Sequence, residues 1–185
     1  MNTKPFMIYS GQELGEKGMD TEGFSGRDGR TSIFDYWSMD CIRKWRNGGK
    51  FDGKKITPEQ QHLLDFYRLL LTLSTHEKAI SCGQFFDLMY ANQNGWKFNE
   101  HKQYTFLRKY KNELLLIVVN FDCVAVEVAI NLPSHAFDYL QMPQTEGYEA
   151  TDLLTNKKEI ISLLPYKATE TSLAAHGAKI LKIIF

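Results

Sequence analysis

The sequence predicts a mainly β protein, in which an antiparallel sandwich follows a shorter segment with helices. Before residue 83, apolar residues recur at helical intervals between glycine-rich loops. After residue 83 the period falls towards two, and about seven short apolar segments alternate with polar turns. Short strands of this kind, regularly spaced along the chain, are typical of an antiparallel sandwich.

Two helices are predicted in the first part of the chain. Trp37, Cys41 and Trp45 recur at helical intervals and favour a helix over at least residues 38–46. The second helix begins with a capping box, in which Thr57 and Gln60 frame a proline suited to the first turn. Its wide apolar stripe predicts a helix from about residue 58 to about residue 75.

The strands are predicted from their period-two patterns or from continuous apolar runs. The segments are QFFDLMYA, QYTFLRKY, ELLLIVVNF, VAVEVAINL, YEATDLL, KEIISL and AKILKIIF. We expect the side chains that face the sandwich interior or its helix contact to include Leu116, Val118, Phe121, Val126, Val128, Ile130, Leu181 and Ile183.

The chain opens unusually, with the segment PFMIYSGQELGE at residues 5–16. Phe6–Tyr9 is an apolar run that we interpret as a buried strand, and it leads directly into the polar pair Gln12 and Glu13. A parallel strand of this type needs neighbours on both sides. Nothing before it in the sequence supplies them.

Composition excludes several classes of function. The 22 basic and 22 acidic residues balance, so no basic surface for nucleic acid is implied. No apolar run is long enough to span a bilayer, and the pattern of a signal peptide is missing, so we predict no membrane partner and leave the compartment open. Neither a metal-type Cys or His spacing nor a phosphate-binding glycine motif occurs, so no metal or other cofactor is predicted.

The densest group of chemically useful side chains surrounds the first long loop. Carboxylates, a guanidinium group and aromatic rings occur together there, which is the mixture that a sugar pocket uses. The simpler alternative is that the rings belong to the core and the charges to the surface. The candidate substrate-binding residues are Glu13, Arg30, Asp35, Tyr36 and Trp37.

Four segments together resemble the α-amylase family, glycoside hydrolase family thirteen. Pro5, Tyr9, Gly11 and Glu13 match the pattern of the family's eighth barrel strand, and DGRTSIFDYW resembles the loop that follows it. LLDFYRLLLTLSTHEKAIS resembles the last barrel helix, and the strands after it resemble the C-terminal β-sandwich domain. Ser10 departs from the pattern, because the family often has tyrosine there.

This resemblance implies a Greek-key sandwich of the amylase C-terminal type, preceded by the last strand, loop and helices of an incomplete (β/α)₈ barrel. Residues 1–80 would be the barrel remnant, and residues 81–185 the sandwich domain. The chain would then be either a truncated piece of an amylase-type enzyme or a shortened open reading frame that starts at an internal methionine, Met1.

The resemblance also implies that the chain contains no catalytic residue. In the family, the nucleophile, the acid/base and a third carboxylate follow barrel strands four, five and seven, upstream of the segments matched here. Glu13 would help to hold the rim of the pocket, and the loop from Arg30 to Trp37 would border its mouth. An α-glucan or a maltooligosaccharide would be the ligand of the parent enzyme.

We therefore expect a stabilising accessory part of an α-glucan-active glycoside hydrolase that is inactive alone. One alternative is a free-standing carbohydrate-binding module that uses Trp96 or Tyr104 as its platform. Another is an oligomerisation domain without a ligand. Because the expected strand lacks its neighbours, we also expect self-association through residues 1–45.

Overall fold

A computed structural model describes residues 6–16 and 40–185. The chain divides into two compact units, an N-terminal unit of residues 2–72 and a β-rich unit of residues 73–185. The boundary between residues 80 and 81, which would separate the barrel remnant from the sandwich domain, stays a prediction.

Both predicted helices are present in the described residues, and positions 38 and 39 of the first prediction lie outside them. α1 is Asp40–Arg46 and α2 is Pro58–His76, the last four residues of α2 belonging to the β-rich unit. The capping box is formed, because Thr57 N donates to Gln60 Oε1 at 3.0 Å and Gln60 N donates to Thr57 Oγ1 at 3.3 Å. A small core holds this unit together, made of Leu14, Cys41 and Leu64 with Ile42, Trp45 and Ile56 packed against them.

The expected strand at Phe6–Tyr9 is not formed, and this prediction is wrong at the level of secondary structure. The segment is irregular, with Phe6 67% and Met7 82% exposed. A strand exists only as part of a ladder, and the described residues of the N-terminal unit contain no strand to pair with it. An apolar pattern alone therefore did not determine the conformation.

The described part of the β-rich unit forms the predicted antiparallel sandwich. Its strands are β1 (Gln84–Asp87), β2 (Gln103–Tyr110), β3 (Glu113–Asn120), β4 (Val126–Ile130), β5 (Thr145–Asp152), β6 (Lys158–Leu163), β7 (Thr169–Leu173) and β8 (Ala178–Ile184). Six of them form one sheet in the order β1-β2-β3-β8-β5-β6, and β4 pairs with β7 in a second sheet. Two short helices accompany them, α3 (Lys78–Ser81) and α4 (Ser134–Leu140).

The core of the sandwich contains most of the predicted interior residues. Leu116, Val118, Val128, Ile130, Leu181 and Ile183 are buried together, and Val126 packs against them. Phe121 is the exception, with 65% of its surface exposed. β3 ends one residue earlier at Asn120, whose buried amide donates to the carbonyls of Val124 and Ala174 and so starts the turn.

Polar groups fix α3 on the outer face of the six-stranded sheet. Arg108 of β2 is 2% exposed, and its guanidinium donates to the carbonyls of Ala79 at 2.9 Å and Ile80 at 2.5 Å. The approach is close enough to require a glycine at position 83, where a Cβ would lie 2.3 Å from Ala79 O.

A second set of charges holds the same helix. Lys182 Nζ of β8 lies 2.5 Å from Glu77 Oε2 and 3.6 Å from Glu113 Oε2, and Glu113 Oε1 accepts from Ala79 N at 2.7 Å. Burial alone would lower the pKa of Lys182, but the hydrogen bond to Glu77 and the two carboxylate charges raise that pKa above its ordinary value.

Candidate functional site

The predicted rim glutamate lies on a short 3₁₀ turn, Gln12–Leu14, in the N-terminal unit. The turn begins after Gly11, whose backbone is left-handed with φ 85° and ψ −5°. A side chain at this position would cost about 1–2 kcal/mol. The glycine that precedes Glu13 by two residues is therefore required by the backbone that presents the glutamate.

Hydrogen bonds tie this turn to the two helices of its unit. Gln12 Nε2 donates to Tyr67 Oη at 2.7 Å, while Gln12 Oε1 accepts from Tyr9 N at 3.2 Å. Glu16 Oε2 accepts from Cys41 N at 3.0 Å at the start of α1. The side chains on either side of Glu13 are thus fixed by contacts far away in sequence.

The buried Cys41 thiol packs at the same place. Gln60 Nε2 lies 2.7 Å from its sulfur. Burial raises the pKa of Cys41, and the nearby Glu16 carboxylate adds to the increase. A thiol with a raised pKa is a poor nucleophile, so Cys41 contributes packing rather than chemistry.

Glu13 itself is half-buried, and its Oε2 atom has no hydrogen-bond partner in the described part of the chain. An unpaired buried carboxylate oxygen is unfavourable, because desolvation is not compensated. The other four predicted site residues, Arg30, Asp35, Tyr36 and Trp37, lie outside the described residues. Of the five predicted site residues, the structure therefore describes the surroundings of Glu13 alone, and the site stays a prediction.

Trp96 and Tyr104, the sequence-predicted alternative platform, lie in the β-rich unit. Trp96 is 66% exposed and Tyr104 38% exposed. Lys97 Nζ lies 4.6 Å from the centre of the Trp96 ring and also pairs with Glu127 and Glu170, at 3.2 and 3.4 Å. One face of the indole is thus partly covered by a cation that is itself held in place.

An open cavity of about 350 Å³ is lined by residues of the loop before β2, among them Lys97, and by residues of β4. Its charges are already paired: Lys102 Nζ lies 2.7 Å from Asp122 Oδ2. This hydrogen bond lowers the pKa of Asp122 and raises the pKa of Lys102, so each group stays charged at neutral pH. Neither group is set up for acid–base catalysis.

Two kinds of feature are absent from the part of the chain that the structure describes. No cluster of three or more His, Cys, Asp or Glu side chains there could hold a metal ion. None of the helices in that part of the chain is long and apolar enough to cross a membrane.

Sequence reasoning did not identify one surface of the β-rich unit, which we call the aromatic patch: Phe86, Tyr90, His135 and Tyr139. Phe86 is at its centre, with its ring centroid 6.3 Å from Tyr90, 5.4 Å from His135 and 5.9 Å from Tyr139. Tyr90 and Tyr139 are 48% and 55% exposed, and His135 is exposed as well. The one sequence signal is the i, i+4 spacing of His135 and Tyr139, which places both on one face of a helix.

No family model matches the sequence, and no curated protein matches it. Solved structures do match: the β-rich fold is that of the C-terminal β-sandwich domain of α-amylase-family enzymes. The similarity that establishes this fold is to a noncanonic maltogenic α-amylase, AmyB, from Thermotoga neapolitana. The TM-score is 0.50 at 13% identity, over 69% of this chain and 26% of that chain.

Two other solved structures are similar. AmyP, crystallised with maltose, has a TM-score of 0.49 and 21% identity, over 71% of this chain and 23% of that chain. The α-amylase GTA from Geobacillus thermoleovorans, complexed with acarbose, has a TM-score of 0.49 and 15% identity, over 80% of this chain and 26% of that chain. The chain therefore spans about a quarter of the length of the proteins that it matches.

Proposed function

We propose that this chain is the C-terminal part of an α-glucan-active glycoside hydrolase, in which residues 81–185 stabilise the catalytic barrel as an accessory domain. The observation that carries the proposal is the fold match to the maltogenic α-amylase AmyB over 69% of the chain. The sequence of residues 5–13 also resembles the end of the eighth barrel strand in the same family, although the described residues 6–9 form no strand here.

The proposal assigns binding rather than catalysis to the residues of this chain. A retaining glycosidase needs a carboxylate nucleophile and a carboxylic acid about 5–5.5 Å apart. By the resemblance, both follow barrel strands that come before the segments matched here. Glu13 then helps to shape the rim of the sugar pocket, and so does the loop from Arg30 to Trp37.

The geometry around Glu13 supports a rim role. Gly11 and the bonds of Gln12 and Glu16 hold the turn in one conformation, so that the position of Glu13 is set in advance. Its Oε2 atom is buried without a partner in the described residues. A carboxylate in this state needs a further donor, which a complete pocket rim would supply.

The first test is hydrolysis. The purified chain should not release reducing sugar from maltoheptaose or soluble starch above the rate of a buffer blank. Glu13→Gln is the matched variant, since it keeps the shape of the side chain and removes its charge. Turnover that co-purifies with the chain and is lost in Glu13→Gln would contradict the proposal.

The second test is the genomic DNA directly before the Met1 codon. The proposal expects an open or interrupted reading frame there that encodes the barrel with its three carboxylate motifs. A frame that encodes an unrelated domain in continuity with this chain would overturn the assignment. This test does not depend on whether the chain binds sugar by itself.

A further inference from the structure

The sequence contains two Asn-Gly pairs, Asn47-Gly48 and Asn94-Gly95. Asparagine is one of the thermally labile residues. It reacts most readily before glycine, because glycine has no Cβ to hinder the approach of its backbone nitrogen to the asparagine side chain. The two pairs are equivalent as dipeptides, but the structure gives them different surroundings.

The glycine of the pair Asn94-Gly95 is held by hydrogen bonds on both sides. Gly95 N donates to Asn92 O at 3.2 Å, and Gly95 O accepts from Phe98 N at 3.4 Å. Asn92 and Phe98 are 0% and 6% exposed. A Cβ at Gly95 would lie 3.0 Å from Asn92 O, so the backbone is closely packed here. The Gly95 nitrogen can therefore attack the Asn94 side chain only after this turn opens.

The pair Asn47-Gly48 follows α1 in the N-terminal unit, where the backbone is left-handed. The φ angles are 45° at Asn47, 66° at Gly48 and 95° at Gly49. Both glycines are exposed, and a Cβ built at either would meet no described atom within 4 Å apart from its chain neighbours. The bonds that follow the helix are donated by Lys50 N to Asn47 O and by Phe51 N to Arg46 O, so neither involves the nitrogen of Gly48.

The side chain of Asn47 is bound to a carboxylate in the same loop. Asn47 Nδ2 donates to Asp52 Oδ1 at 2.7 Å, and Lys54 N donates to the same oxygen at 3.2 Å. The bond from Asn47 is the largest cause of the lowered pKa of Asp52. Because the bond lies at the exposed surface, water competes for it, and the Asn47 side chain is not locked.

We propose that Asn47 is a deamidation site and that the modification loosens the end of α1. The nitrogen of Gly48, after losing its proton to water, attacks Asn47 Cγ, and the bond from Cγ to Nδ2 breaks. The side-chain nitrogen takes up a proton and leaves as ammonia, which leaves a succinimide ring. One water molecule then opens the ring at either carbonyl, so that position 47 becomes aspartate or isoaspartate.

Both products weaken the turn that ends α1. Each places a carboxylate beside Asp52 in place of the amide donor, so the hydrogen bond is lost and two like charges face each other. Isoaspartate also adds one carbon to the main chain between Arg46 O and Phe51 N, the two atoms of the capping bond. Because α1 carries Cys41 and Trp45 of the small core, loss of this cap should loosen the N-terminal unit.

The site is tested by incubating the unsubstituted chain in mildly alkaline buffer, followed by peptide mapping with mass spectrometry. The conversion of amide to acid should be about fivefold or more faster at Asn47 than at Asn94, because a backbone hydrogen bond must first open at Gly95. In urea the two rates should become similar, since neither pair keeps its surroundings. Equal rates in the folded chain, a faster reaction at Asn94, no reaction at Asn47, or a difference that persists in urea would overturn the site.

The effect on α1 is tested with Asn47→Asp, which has the composition of one product. Hydrogen exchange of the α1 amides should be about fivefold or more faster than in the unsubstituted chain, with exchange in the β-rich unit unchanged. Asn94→Asp is the matched control, and it should leave α1 exchange as it is. The incubated, unsubstituted chain gives the same comparison without a variant, because modified and unmodified molecules are present in one sample. Exchange in α1 that is the same with and without the modification would contradict the proposal.

Discussion

Replacing Arg108 by methionine tests how the β-rich unit holds α3. The guanidinium is 2% exposed and donates to the carbonyls of Ala79 and Ile80. Both carbonyls lie at the C-terminal end of α3, where helices leave acceptors without intrahelical partners. Burial lowers the pKa of Arg108, but an arginine remains charged in a protein, so these are charge-assisted bonds.

The expected loss follows from opposing contributions. Hydrogen bonds to a charged group contribute about 1.5–3 kcal/mol each, and each buried carbonyl left unpaired costs about 1–3 kcal/mol. Removing the buried charge relieves a desolvation cost of several kcal/mol, which acts in the opposite direction. Methionine keeps most of the apolar stem, so little cavity is added. We expect a net destabilisation of about 2–4 kcal/mol.

The assay is urea unfolding of the full chain, followed by far-UV circular dichroism. Lys158→Met is the matched control in the same unit, because it removes a cation from an exposed pair with Glu149. That change should cost less than about 1 kcal/mol. If Arg108→Met costs no more than the control, the guanidinium does not hold α3 and the reasoning is refuted.

Three other predictions follow from burial, charge and exposure. Leu116→Ala should lower the free energy of unfolding by about 2–5 kcal/mol, and Ile160→Ala, at a 68% exposed position, by less than about 0.5 kcal/mol in the same urea experiment. Because folding raises the pKa of Lys182, the charged lysine stabilises the folded state fully below about pH 10, and this contribution is lost as the pH rises through the pKa of Lys182 in the folded protein. In Lys182→Met, the melting temperature should therefore fall less steeply with pH in that range. Self-association through residues 1–45 stays a prediction: Phe6→Ser combined with Met7→Ser should reduce the mass measured by light scattering, and a monomeric unsubstituted chain well above micromolar concentration would contradict it.

The strands that sequence reasoning located are those with apolar side chains on at least one face. β2 has the bounds of the predicted segment QYTFLRKY, and β3 differs from its segment by one residue. β7 was missed because Thr169–Leu173 contains one aliphatic residue, although its alternating burial follows the strand period. α4 was also missed, and its buried side chains are Ala136, Phe137 and Leu140.

The candidate sites also differ in how far a sequence pattern can predict them. Glu13 could be predicted from sequence because its motif is local, and the left-handed Gly11 explains why that motif needs a glycine; its role at a sugar site stays a prediction. The aromatic patch was not found, because it depends on the amide of Asn92 reaching Asn131 across 39 residues of sequence. Pairing of this kind leaves no periodic signal, so only a structure brings Tyr90 next to His135.

The described residues of the two units differ in how many of their buried polar groups and apolar side chains find partners among the described residues. The β-rich unit encloses a large apolar cluster, and its buried Arg108 and Asn92 have partners. In the described part of the N-terminal unit, the core is small, Phe6 is exposed and Glu13 keeps a buried oxygen without a partner. Features of this sort are expected where a surface is completed by other parts of a protein. If the proposed function is correct, the rim around Glu13 recognises sugar only with those parts present.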